Sequence, residues 1–570
     1  MYSFLELKKK AKLAEKESPK YKMVVMGNCS TQHLVTAIKG YSYLENFLLE
    51  IIDTDYNQIQ SQVFDSNSEL YVSKADFVLI QLSSEKLYES FFESDTKKDF
   101  AEQIIRDIKS YWQNINSQLN ANILQFNFVE INDSVFGNYA SKTKESFIYQ
   151  IRKLNYLLQI EAENNSNVFI VDIASIQTNV GRNQFYDPKL YYMAKMPFSI
   201  EVLPQIAKNV IDVVKSQKGI FKKCVVFDLD NTIWGGVIGD DGLSGIEIGE
   251  LGAGHAYEEM QRYLKSLKNR GIVLGVCSKN NENIAKEPFQ KHPDMILNLE
   301  DISIFVANWE DKATNLKYIQ KTLNIGMDSI VFLDDNPFER NLVKEMIPEA
   351  TVPDLPEDAA YYVSYLRHLN LFETASFSNA DIDRTKQYQA EVNRVELEKS
   401  FENFDDYLKG LDMVAESKPF DDFQTPRIAQ LTQRSNQFNL RTVRLSETDV
   451  NGIKNDSNYI TQYFMLKDKF GEHGLISLAY MKKRNDDTLF IENWLMSCRV
   501  LKRGMEEFVI NRLVSLAKEN GYKTILGEYI KTQKNSMVES IYEKLGFSSI
   551  GNNQYQLDVE KFTPNKTFIK

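Results

Sequence analysis

Residues 225–232 read VVFDLDNT, an apolar run that ends in two acidic residues, Asp228 and Asp230, separated by a single leucine. The pattern predicts a buried strand followed by a turn, and ligand sites in open parallel sheets lie at the carboxyl ends of such strands. A carboxylate at Asp228 can attack a phosphoryl group and carry it covalently, while Asp230 can protonate the leaving oxygen and later activate water. The segment therefore predicts phosphoryl transfer through an aspartyl phosphate, although the pattern alone is also typical of a polar strand end with an Asp-Asn turn.

Three later predicted strand ends carry side chains that complete such a site. Ser278 follows a short apolar run and can donate its hydroxyl to a phosphate oxygen. Lys312 can neutralise the charge of the phosphate and of the aspartyl phosphate. Two further acidic residues follow the apolar run 330–333, and carboxylates are ligands that Mg²⁺ prefers. We expect the Mg²⁺ ligands to be Asp228, Asp230, Asp334 and Asp335.

Together these motifs resemble those of the haloacid dehalogenase (HAD) superfamily. The segments 228–242, 277–280 and 333–340 are similar to the narrower FkbH-type branch. This resemblance implies a Mg²⁺-dependent phosphotransferase core that acts on phosphate esters or acyl phosphates. It also implies a role in loading a glyceryl-like unit from a phosphorylated three-carbon donor onto an acyl carrier protein. Within the motifs we expect the substrate-binding residues Thr232, Lys279 and Asn280.

The spacing of the motifs predicts that the central domain has no inserted cap. Members of the superfamily that close over small substrates carry a cap after the first motif or between the second and third. Asp228 and Ser278 are 50 residues apart, and Ser278 and Lys312 are 34 apart, which leaves room for helices and loops only. We expect an open site, which suits a substrate carried on a protein.

The region 405–557 resembles the GNAT fold of acyl-CoA N-acyltransferases. A predicted strand over 491–497 leads into a helix whose first backbone amides can hold a pyrophosphate. Arg503 and Gly504 match the fingerprint of such a loop in part. The resemblance implies binding of CoA or of the phosphopantetheine arm of a carrier protein. The alternative is an inherited fold that packs against the central domain and binds nothing.

Cys498 lies at the end of this predicted strand, beside Arg499. A cationic neighbour and a helix start favour a reactive thiolate. The pattern Met-Ser-Cys-Arg at residues 496–499 is also similar to FkbH-type proteins. We interpret Cys498 as a nucleophile that accepts an acyl group as a thioester, and the alternative is an inert buried thiol.

The N-terminal region predicts a further parallel α/β sheet, because short apolar runs alternate with stretches of helical periodicity. It resembles SGNH-type hydrolases in fold only. Ser30 stands where such an enzyme carries its nucleophile, but Asp187 is followed by Pro-Lys-Leu without the expected histidine, and His33 is only three residues past Ser30. We therefore expect a docking or cap-like role in place of hydrolysis.

Composition excludes several classes of protein. The 570 residues are 43% hydrophobic and 26% charged, which indicates a folded chain of several domains. A net charge of −12 disfavours nucleic acid as a partner. No run approaches the roughly 20 apolar residues of a membrane span, and no signal-peptide pattern is present, so we expect a cytoplasmic protein. Four cysteines are too few for a disulfide framework. Five histidines disfavour a histidine-rich zinc site.

We expect an α/β protein of three domains: an SGNH-like, flavodoxin-like parallel sheet (1–219), a capless HAD Rossmann-like domain (220–375) and, after a charged connector (376–404), a GNAT-like domain (405–570). The predicted function is a Mg²⁺-dependent phosphatase or phosphotransferase coupled to acyl transfer onto a carrier protein, with a small phosphorylated metabolite as donor. Two alternatives stay open. One is a stand-alone phosphomonoesterase with inactive flanking domains, and the other is a non-catalytic assembly protein.

Overall fold

The computed structural model describes residues 2–377, 379–532 and 534–570, with side chains for all of them except Asn379, Ala380 and Glu396. The chain divides into two compact units, Met1–Ser216 and Gln217–Lys570. No helix in the described ranges combines the length and the apolar character needed to cross a bilayer.

The first unit is built on a five-stranded parallel sheet with the strand order β2-β1-β3-β4-β5. This is the flavodoxin-like order, which confirms the predicted fold class. Its strands are β1 (Tyr21–Gly27), β2 (Leu49–Asp53), β3 (Phe77–Gln81), β4 (Asn122–Phe126) and β5 (Val168–Val171). Its helices are α1 (Phe4–Ala14), α2 (Gln32–Leu44), α3 (Ile59–Phe64), α4 (Glu69–Val72), α5 (Ser84–Glu93), α6 (Phe100–Gln118), α7 (Phe147–Glu163), α8 (Ile173–Val180), α9 (Arg182–Phe185), α10 (Pro188–Ala194) and α11 (Leu203–Gln217).

The central strand β1 shows why this sheet is parallel and covered on both faces. Met23 and Val25 pack into one apolar cluster, whereas Val24 and Met26 pack into a second cluster on the opposite face. Successive side chains of a strand point to opposite faces, so a continuous apolar run needs helices on both sides.

The second unit contains a four-stranded parallel sheet with the order β8-β7-β6-β9. Val225 and Phe227 of β6 pack on one face, and Cys224 and Val226 on the other. The strands are β6 (Cys224–Phe227), β7 (Val273–Ser278), β8 (Ile304–Ala307) and β9 (Ile330–Leu333). The helices are α12 (Ile238–Asp241), α13 (Gly252–Asn269), α14 (Glu282–Lys291), α15 (Lys312–Leu323), α16 (Pro337–Met346) and α17 (Tyr362–Leu369).

A mixed sheet forms the rest of the second unit, with the order β10-β12-β13-β14-β15-β17-β16 and β11 paired to β14. Its strands are antiparallel except for the parallel pair β14 and β15. They are β10 (Val414–Lys418), β11 (Phe438–Asn439), β12 (Tyr459–Asp468), β13 (Gly471–Asn485), β14 (Thr488–Met496), β15 (Thr524–Glu528), β16 (Ser548–Gly551) and β17 (Gln554–Asp558). The helices are α18 (Asn379–Ile382), α19 (Arg384–Glu398), α20 (Phe404–Gly410), α21 (Thr425–Arg434), α22 (Glu447–Asn455), α23 (Met505–Glu519) and α24 (Ile541–Lys544).

Part of the predicted charged connector over 376–404 packs into this second unit. Its helix α19 contacts α15, β7 and β8 of the parallel sheet region and β13 of the mixed sheet. Arg394 of α19 is 2% exposed, and its Nε and Nη2 donate to the two carboxylate oxygens of Asp468 at 2.7 and 2.8 Å. Its Nη1 donates to Glu391 at 3.4 Å. Helix α19 therefore packs against both sheets, and the regions predicted as a HAD-like domain, a connector and a GNAT-like domain lie within one compact unit.

Candidate active site

Four strand ends of the parallel sheet meet at one edge and carry the predicted catalytic side chains. Asp228 directly follows β6, Ser278 is the last residue of β7, Lys312 begins the helix after β8, and Asp334 directly follows β9. All four residues are buried. The strands are parallel, so their carboxyl ends lie at the same edge, and residues far apart in sequence come together there.

Lys312 bridges two of the carboxylates. Its Nζ lies 2.6 Å from Asp228 Oδ2 and 2.5 Å from Asp334 Oδ2. Burial alone would lower the pKa of the Lys312 ammonium, but these two carboxylates raise it above its ordinary value. The lysine is therefore a fixed positive charge at the base of the site.

Three carboxylates could hold a divalent cation. One oxygen from each of Asp228, Asp334 and Asp335 lies within 4.8 Å of the others. Asp228 Oδ1 is buried and has no hydrogen-bond partner in the described part of the chain. Burial and the nearby Asp228 raise the pKa of Asp334 to about 7, and the same two causes raise the pKa of Asp335. Three buried or half-buried carboxylates that repel one another fit Mg²⁺, which prefers oxygen ligands.

Asp230 lies outside this three-carboxylate group, although the sequence predicted it as a fourth metal ligand. Its Oδ1 accepts hydrogen bonds from Trp234 Nε1 at 2.8 Å and from the backbone N–H of Ile238 at 3.0 Å, and its Oδ2 accepts from Asn280 Nδ2 at 3.3 Å. Burial raises the pKa of Asp230. A carboxyl held by three donors and apart from the carboxylate group has the position of a proton donor and acceptor.

The residues predicted to bind substrate support the strand ends. Thr232 is fully buried, and its Oγ1 accepts a hydrogen bond from the backbone N–H of Asp335 at 3.2 Å. Asn280 holds Asp230, as described above. Lys279 forms an ion pair with Glu339 at 2.6 Å. Thr232 and Asn280 therefore fix the orientation of the acidic residues.

Two further residues shape the site, and the sequence prediction assigned no role to either. Arg340 is buried and donates from one nitrogen to the carbonyl oxygens of Asp334 and Asp335, at 2.8 and 2.6 Å. Trp234 orients Asp230. Both residues lie inside the segments that resemble FkbH-type proteins. The sequence therefore marked their positions, but it did not show which partner each side chain binds.

The segments between the motifs contain no inserted domain. Residues 229–277 hold α12 and α13, and residues 279–311 hold α14 and β8. Every residue of both segments is described, and the arrangement agrees with the predicted capless fold.

Cys498 lies in a short 3₁₀ turn, Cys498–Val500, that follows β14. It is half-buried, and its carbonyl accepts a hydrogen bond from the side chain of Asn324, the residue that ends α15. The neighbouring Arg499 is buried and donates to Gln387 and to Ser497 Oγ. Cys498 is part of the wall of a cavity of about 90 Å³.

The residues of the predicted pyrophosphate loop, Arg503 and Gly504, bind other groups of the same chain. Arg503 is 5% exposed and forms an ion pair with Glu391 of α19. The carbonyl of Gly504 accepts a hydrogen bond from Thr567 Oγ1 at 3.0 Å. Glu506 places its carboxylate at the start of α23, where it accepts from the backbone N–H of Lys502 at 3.2 Å. A carboxylate thus stands where the prediction put a phosphate, and the two would repel each other.

In the first unit, the residues at the SGNH-like positions take partners other than one another. Ser30 Oγ donates to Gln32 Oε1 at 2.6 Å. The His33 ring stacks on Phe4 with 5.4 Å between ring centroids. Asp187 accepts hydrogen bonds from the first backbone amides of α10 and so caps that helix.

A parallel sheet whose strand ends bring together two aspartates one residue apart, a serine, a lysine and a further aspartate pair defines the HAD class. A family model described as "FkbH, N-terminal domain" matches residues 22–215. The crystal structure of the N-terminal part of the protein BF1531 from Bacteroides fragilis, containing a phosphatase domain complexed with Mg, is 46% identical to this chain. That match covers 66% of this chain and 100% of the other, with a TM-score of 0.64. The chain belongs to the FkbH-type branch of the HAD superfamily.

Two acetyltransferase structures also match. The ribosomal-protein-S18-alanine N-acetyltransferase from Escherichia coli is 15% identical, and its match covers 27% of this chain and 99% of that one, with a TM-score of 0.21. The spermidine N-acetyltransferase from Vibrio cholerae is 13% identical, and its match covers 26% and 96%, with the same TM-score. At these values the likeness carries no argument about function. A comparison with curated proteins finds no match.

Proposed function

We propose that this protein is a Mg²⁺-dependent phosphatase that works through an aspartyl phosphate on Asp228. The observation that carries the proposal is the arrangement around Asp228: one oxygen is held by Lys312, and the other is buried without a partner. An oxygen that is already desolvated and unpaired costs little to present to an incoming phosphoryl group. The relative BF1531, whose structure contains Mg, supports the choice of cation.

The side chains divide the reaction between them. A carboxylate oxygen of Asp228 attacks phosphorus, and the bond from phosphorus to the leaving oxygen breaks. Asp230 gives its proton to that leaving oxygen. Asp230 then takes a proton from the water that attacks the aspartyl phosphate, so that inorganic phosphate leaves and both carboxyl groups return to their starting states. Ser278 and Lys312 bind the phosphoryl oxygens throughout.

Mg²⁺ would be held by Asp228, Asp334 and Asp335, and it would supply positive charge for the phosphoryl oxygens. Thr232 and Arg340 keep the aspartate pair after β9 in place through their backbone contacts. The chain therefore provides the carboxylates and the hydrogen bonds that hold them in position.

We further propose that phosphate removal is coupled to acyl transfer onto a carrier protein through Cys498. The donor would be a three-carbon acyl phosphate that carries a second phosphate as an ester. The Cys498 thiolate attacks its carbonyl carbon, a thioester forms and the phosphate of the acyl phosphate leaves, while the ester phosphate is the one that the Asp228 site removes. The thiol of a carrier-protein phosphopantetheine arm then attacks the thioester and releases Cys498. The half-buried position of Cys498 on the wall of a cavity supports this role. The first unit would serve as a docking surface, because its Ser30 lacks the partners of a hydrolase.

The decisive experiment measures the mass of a candidate carrier protein after incubation with this protein, Mg²⁺ and a panel of three-carbon phosphates. We expect a mass increase equal to one acyl group. Cys498→Ala should abolish the increase while phosphate release from small esters continues. Cys29→Ala, which removes another thiol in the other unit, is the matched control and should behave as the parent protein.

Two other outcomes would assign a different function. Phosphate release without any acylation of the carrier, in every donor tested, would indicate a stand-alone phosphomonoesterase. No phosphate release with any donor, and no functional effect of Asp228→Asn, would indicate a non-catalytic assembly protein.

A further inference from the structure

The cavity beside Cys498 is strongly basic. It lies where the end of β14 meets the N-terminal edge of the parallel sheet, because Lys223 precedes β6 and Ser329 precedes β9, and both line the cavity. It is therefore at the edge of the sheet opposite Asp228. Six cationic side chains line it, and they are Lys223, Arg384, Arg427, Arg434, Arg499 and Lys534.

In the part of the chain that the structure describes, two carboxylates form ion pairs with members of this group of six cations. Asp381 contacts both Arg384 and Arg434. Asp328 pairs with Lys534. Within the described residues, the remaining three cations have no carboxylate at ion-pair distance, and these are Lys223, Arg427 and Arg499.

The hydrogen bonds of these three cations go to neutral acceptors. Lys223 Nζ donates to the carbonyl of Arg434 at 3.2 Å. Arg427 donates to the amide oxygen of Gln430, and Arg499 donates to the amide oxygen of Gln387. Neutral acceptors satisfy N–H groups but leave the charge uncompensated.

Burial and the neighbouring positive charges both disfavour the protonated forms of these side chains. Burial and the neighbouring cations lower the pKa of Lys223 to about 8. The same causes lower the pKa of Arg427 and of Arg434 to about 9. Each positive charge therefore destabilises the others, and an anion bound among them would reverse this effect.

The cavity is large enough for a phosphate group and a short chain. Its volume of about 90 Å³ corresponds to about six to nine water-sized spheres at roughly 10–15 Å³ each. Guanidinium groups match phosphate oxygens in geometry as well as in charge. The carboxylate group that fits a cation at Asp228 has no counterpart here, so the cavity can bind a phosphate without the machinery that cleaves it.

We propose that this cavity is a phosphate-binding pocket that holds the phosphate group of the molecule that brings the acyl unit to Cys498 or removes it. The proposal rests on the acyl-transfer role proposed above for Cys498. Two sources share this chemistry: a phosphorylated three-carbon donor, and the phosphodiester of a phosphopantetheine arm. The pocket takes the place of the loop at Arg503 and Gly504, which is closed by its own ion pair.

The test measures protection of the Cys498 thiol and needs no turnover. Iodoacetamide alkylates the protein in EDTA, with inorganic phosphate added to one sample and chloride of equal ionic strength to another, and mass spectrometry of peptides reports modification of Cys498. We expect phosphate to slow the alkylation of Cys498 at least tenfold at saturation and chloride to leave it unchanged. Equal rates in phosphate and chloride would overturn the proposal.

A substitution in the pocket makes the readout specific. In Arg427→Gln, the phosphate concentration for half-protection should rise about 10- to 100-fold, because a hydrogen bond to a charged group is lost. Arg484→Gln, which removes an exposed arginine on β13, is the matched control and should leave protection unchanged. Lys223→Met gives a second variant if circular dichroism shows that Arg427→Gln is unfolded. Protection that is unchanged in the folded variant would overturn the proposal.

Two further ligands identify the source of the phosphate. Protection by a three-carbon phosphate monoester at lower concentration than inorganic phosphate would assign the pocket to the donor. The same result with phosphopantetheine would assign it to the carrier arm. Either ligand could protect Cys498 while Cys498→Ala still acylates the carrier. That pair of results would establish the pocket and would refute the proposed acyl transfer through Cys498.

Discussion

At the residue scale, the proposed chemistry rests on the unequal environments of the two oxygens of Asp228. One oxygen contacts Lys312, and the other is buried and unpartnered. Native proteins pair most of their buried polar atoms, so an unpaired carboxylate oxygen marks a place where a ligand completes the structure.

Asp228→Asn should reduce Mg²⁺-dependent phosphate release by roughly 10³-fold or more, because an amide is a poor nucleophile toward phosphorus. The measurement is release of inorganic phosphate from a small phosphomonoester. Asp422→Asn, at a carboxylate whose side chain is 94% exposed, is the control and should retain the parent rate. Retention of activity in Asp228→Asn would refute the assignment of the nucleophile.

Mg²⁺ should stabilise the folded protein, because it offsets the repulsion among Asp228, Asp334 and Asp335. At a Mg²⁺ concentration of 100 times its Kd the free energy of unfolding should rise by about 2.7 kcal/mol. Thermal unfolding with and without EDTA measures this change. The shift should largely disappear in Asp335→Asn and persist in Asp422→Asn, and an undiminished shift in Asp335→Asn would place the cation elsewhere.

His473 should make the second unit less stable in mild acid. Its Nε2 lies 3.1 Å from Asp468 Oδ2, and burial lowers the pKa of His473 to about 4. The unfolded chain takes up a proton near pH 6.5 that the folded chain takes up only near pH 4, so this contribution to stability is complete above pH 6.5 and is lost as the pH falls. The expected slope is up to about 1.4 kcal/mol per pH unit.

Urea unfolding between pH 5 and pH 7 measures the dependence. His473→Gln should flatten the slope, since glutamine does not titrate, whereas His255→Gln should preserve it because the His255 side chain is 54% exposed. An identical slope in the parent protein and in His473→Gln would contradict the prediction.

At the element scale, one buried guanidinium, that of Arg394, attaches helix α19 to the mixed sheet through Asp468. Arg394→Met should lower the free energy of unfolding by about 3–5 kcal/mol, because it leaves Asp468 buried without its cation. Urea unfolding measures the loss. Adding Asp468→Leu should recover part of it, since both charges are then absent, and Arg262→Met, at an arginine that is 55% exposed, should stay within about 0.5 kcal/mol of the parent protein. A loss in Arg394→Met no larger than in Arg262→Met would show that the pair is unimportant.

The strands could be predicted where their signal is local. The run around Val225 is apolar on both faces and ends in a polar turn, which is the pattern of a covered parallel strand. The burial of α19 could not be predicted, because Arg394 finds its partner Asp468 74 residues away. The charge of such a segment is compatible with a connector or with an interface helix, so the sequence alone does not determine how it packs.

The two sites differ in the same way, because only the Asp228 site is built from residues that local motifs identify. Asp228, Lys312 and Asp334 each directly follow or begin an element with a recognisable motif, so their meeting could be predicted from strand order. The cations of the proposed phosphate pocket come from separate elements with no shared motif, and no sequence pattern indicates that they meet. Arg503 fitted a fingerprint, but its ion pair with Glu391, 112 residues away, could be seen only in the structure.

At the scale of the whole second unit, the two proposed sites lie at opposite edges of one parallel sheet. From Lys223 to Asp228 the chain runs the length of β6, about 16 Å at roughly 3.3 Å per residue. From Lys312 to Asn324, whose side chain contacts the carbonyl of Cys498, α15 rises about 18 Å at 1.5 Å per residue. Along either element, Asp228 and Cys498 are farther apart than the length of a small acyl group.

This separation constrains the order of the chemistry. A three-carbon acyl group on Cys498 spans only a few covalent bonds of about 1.5 Å each. Its own phosphate therefore cannot enter the Asp228 site while the thioester is intact. We infer that the phosphate is removed from a molecule that can diffuse between the edges, either the free donor or the carrier-bound acyl group.

Mixing two variants that each lack one of the two activities tests this order. Asp228→Asn should still acylate the carrier protein through Cys498 but leave the acyl group phosphorylated, while Cys498→Ala should retain phosphatase activity without acylating the carrier. Because the intermediate can leave one molecule and enter another, the mixture should form the dephosphorylated acyl carrier that neither variant forms alone. Mass spectrometry of the carrier distinguishes the two products by one phosphoryl group. If each variant keeps its half-reaction and the mixture still yields only phosphorylated carrier, phosphate removal requires both sites of one chain, and the separation inferred from the sheet does not govern the reaction.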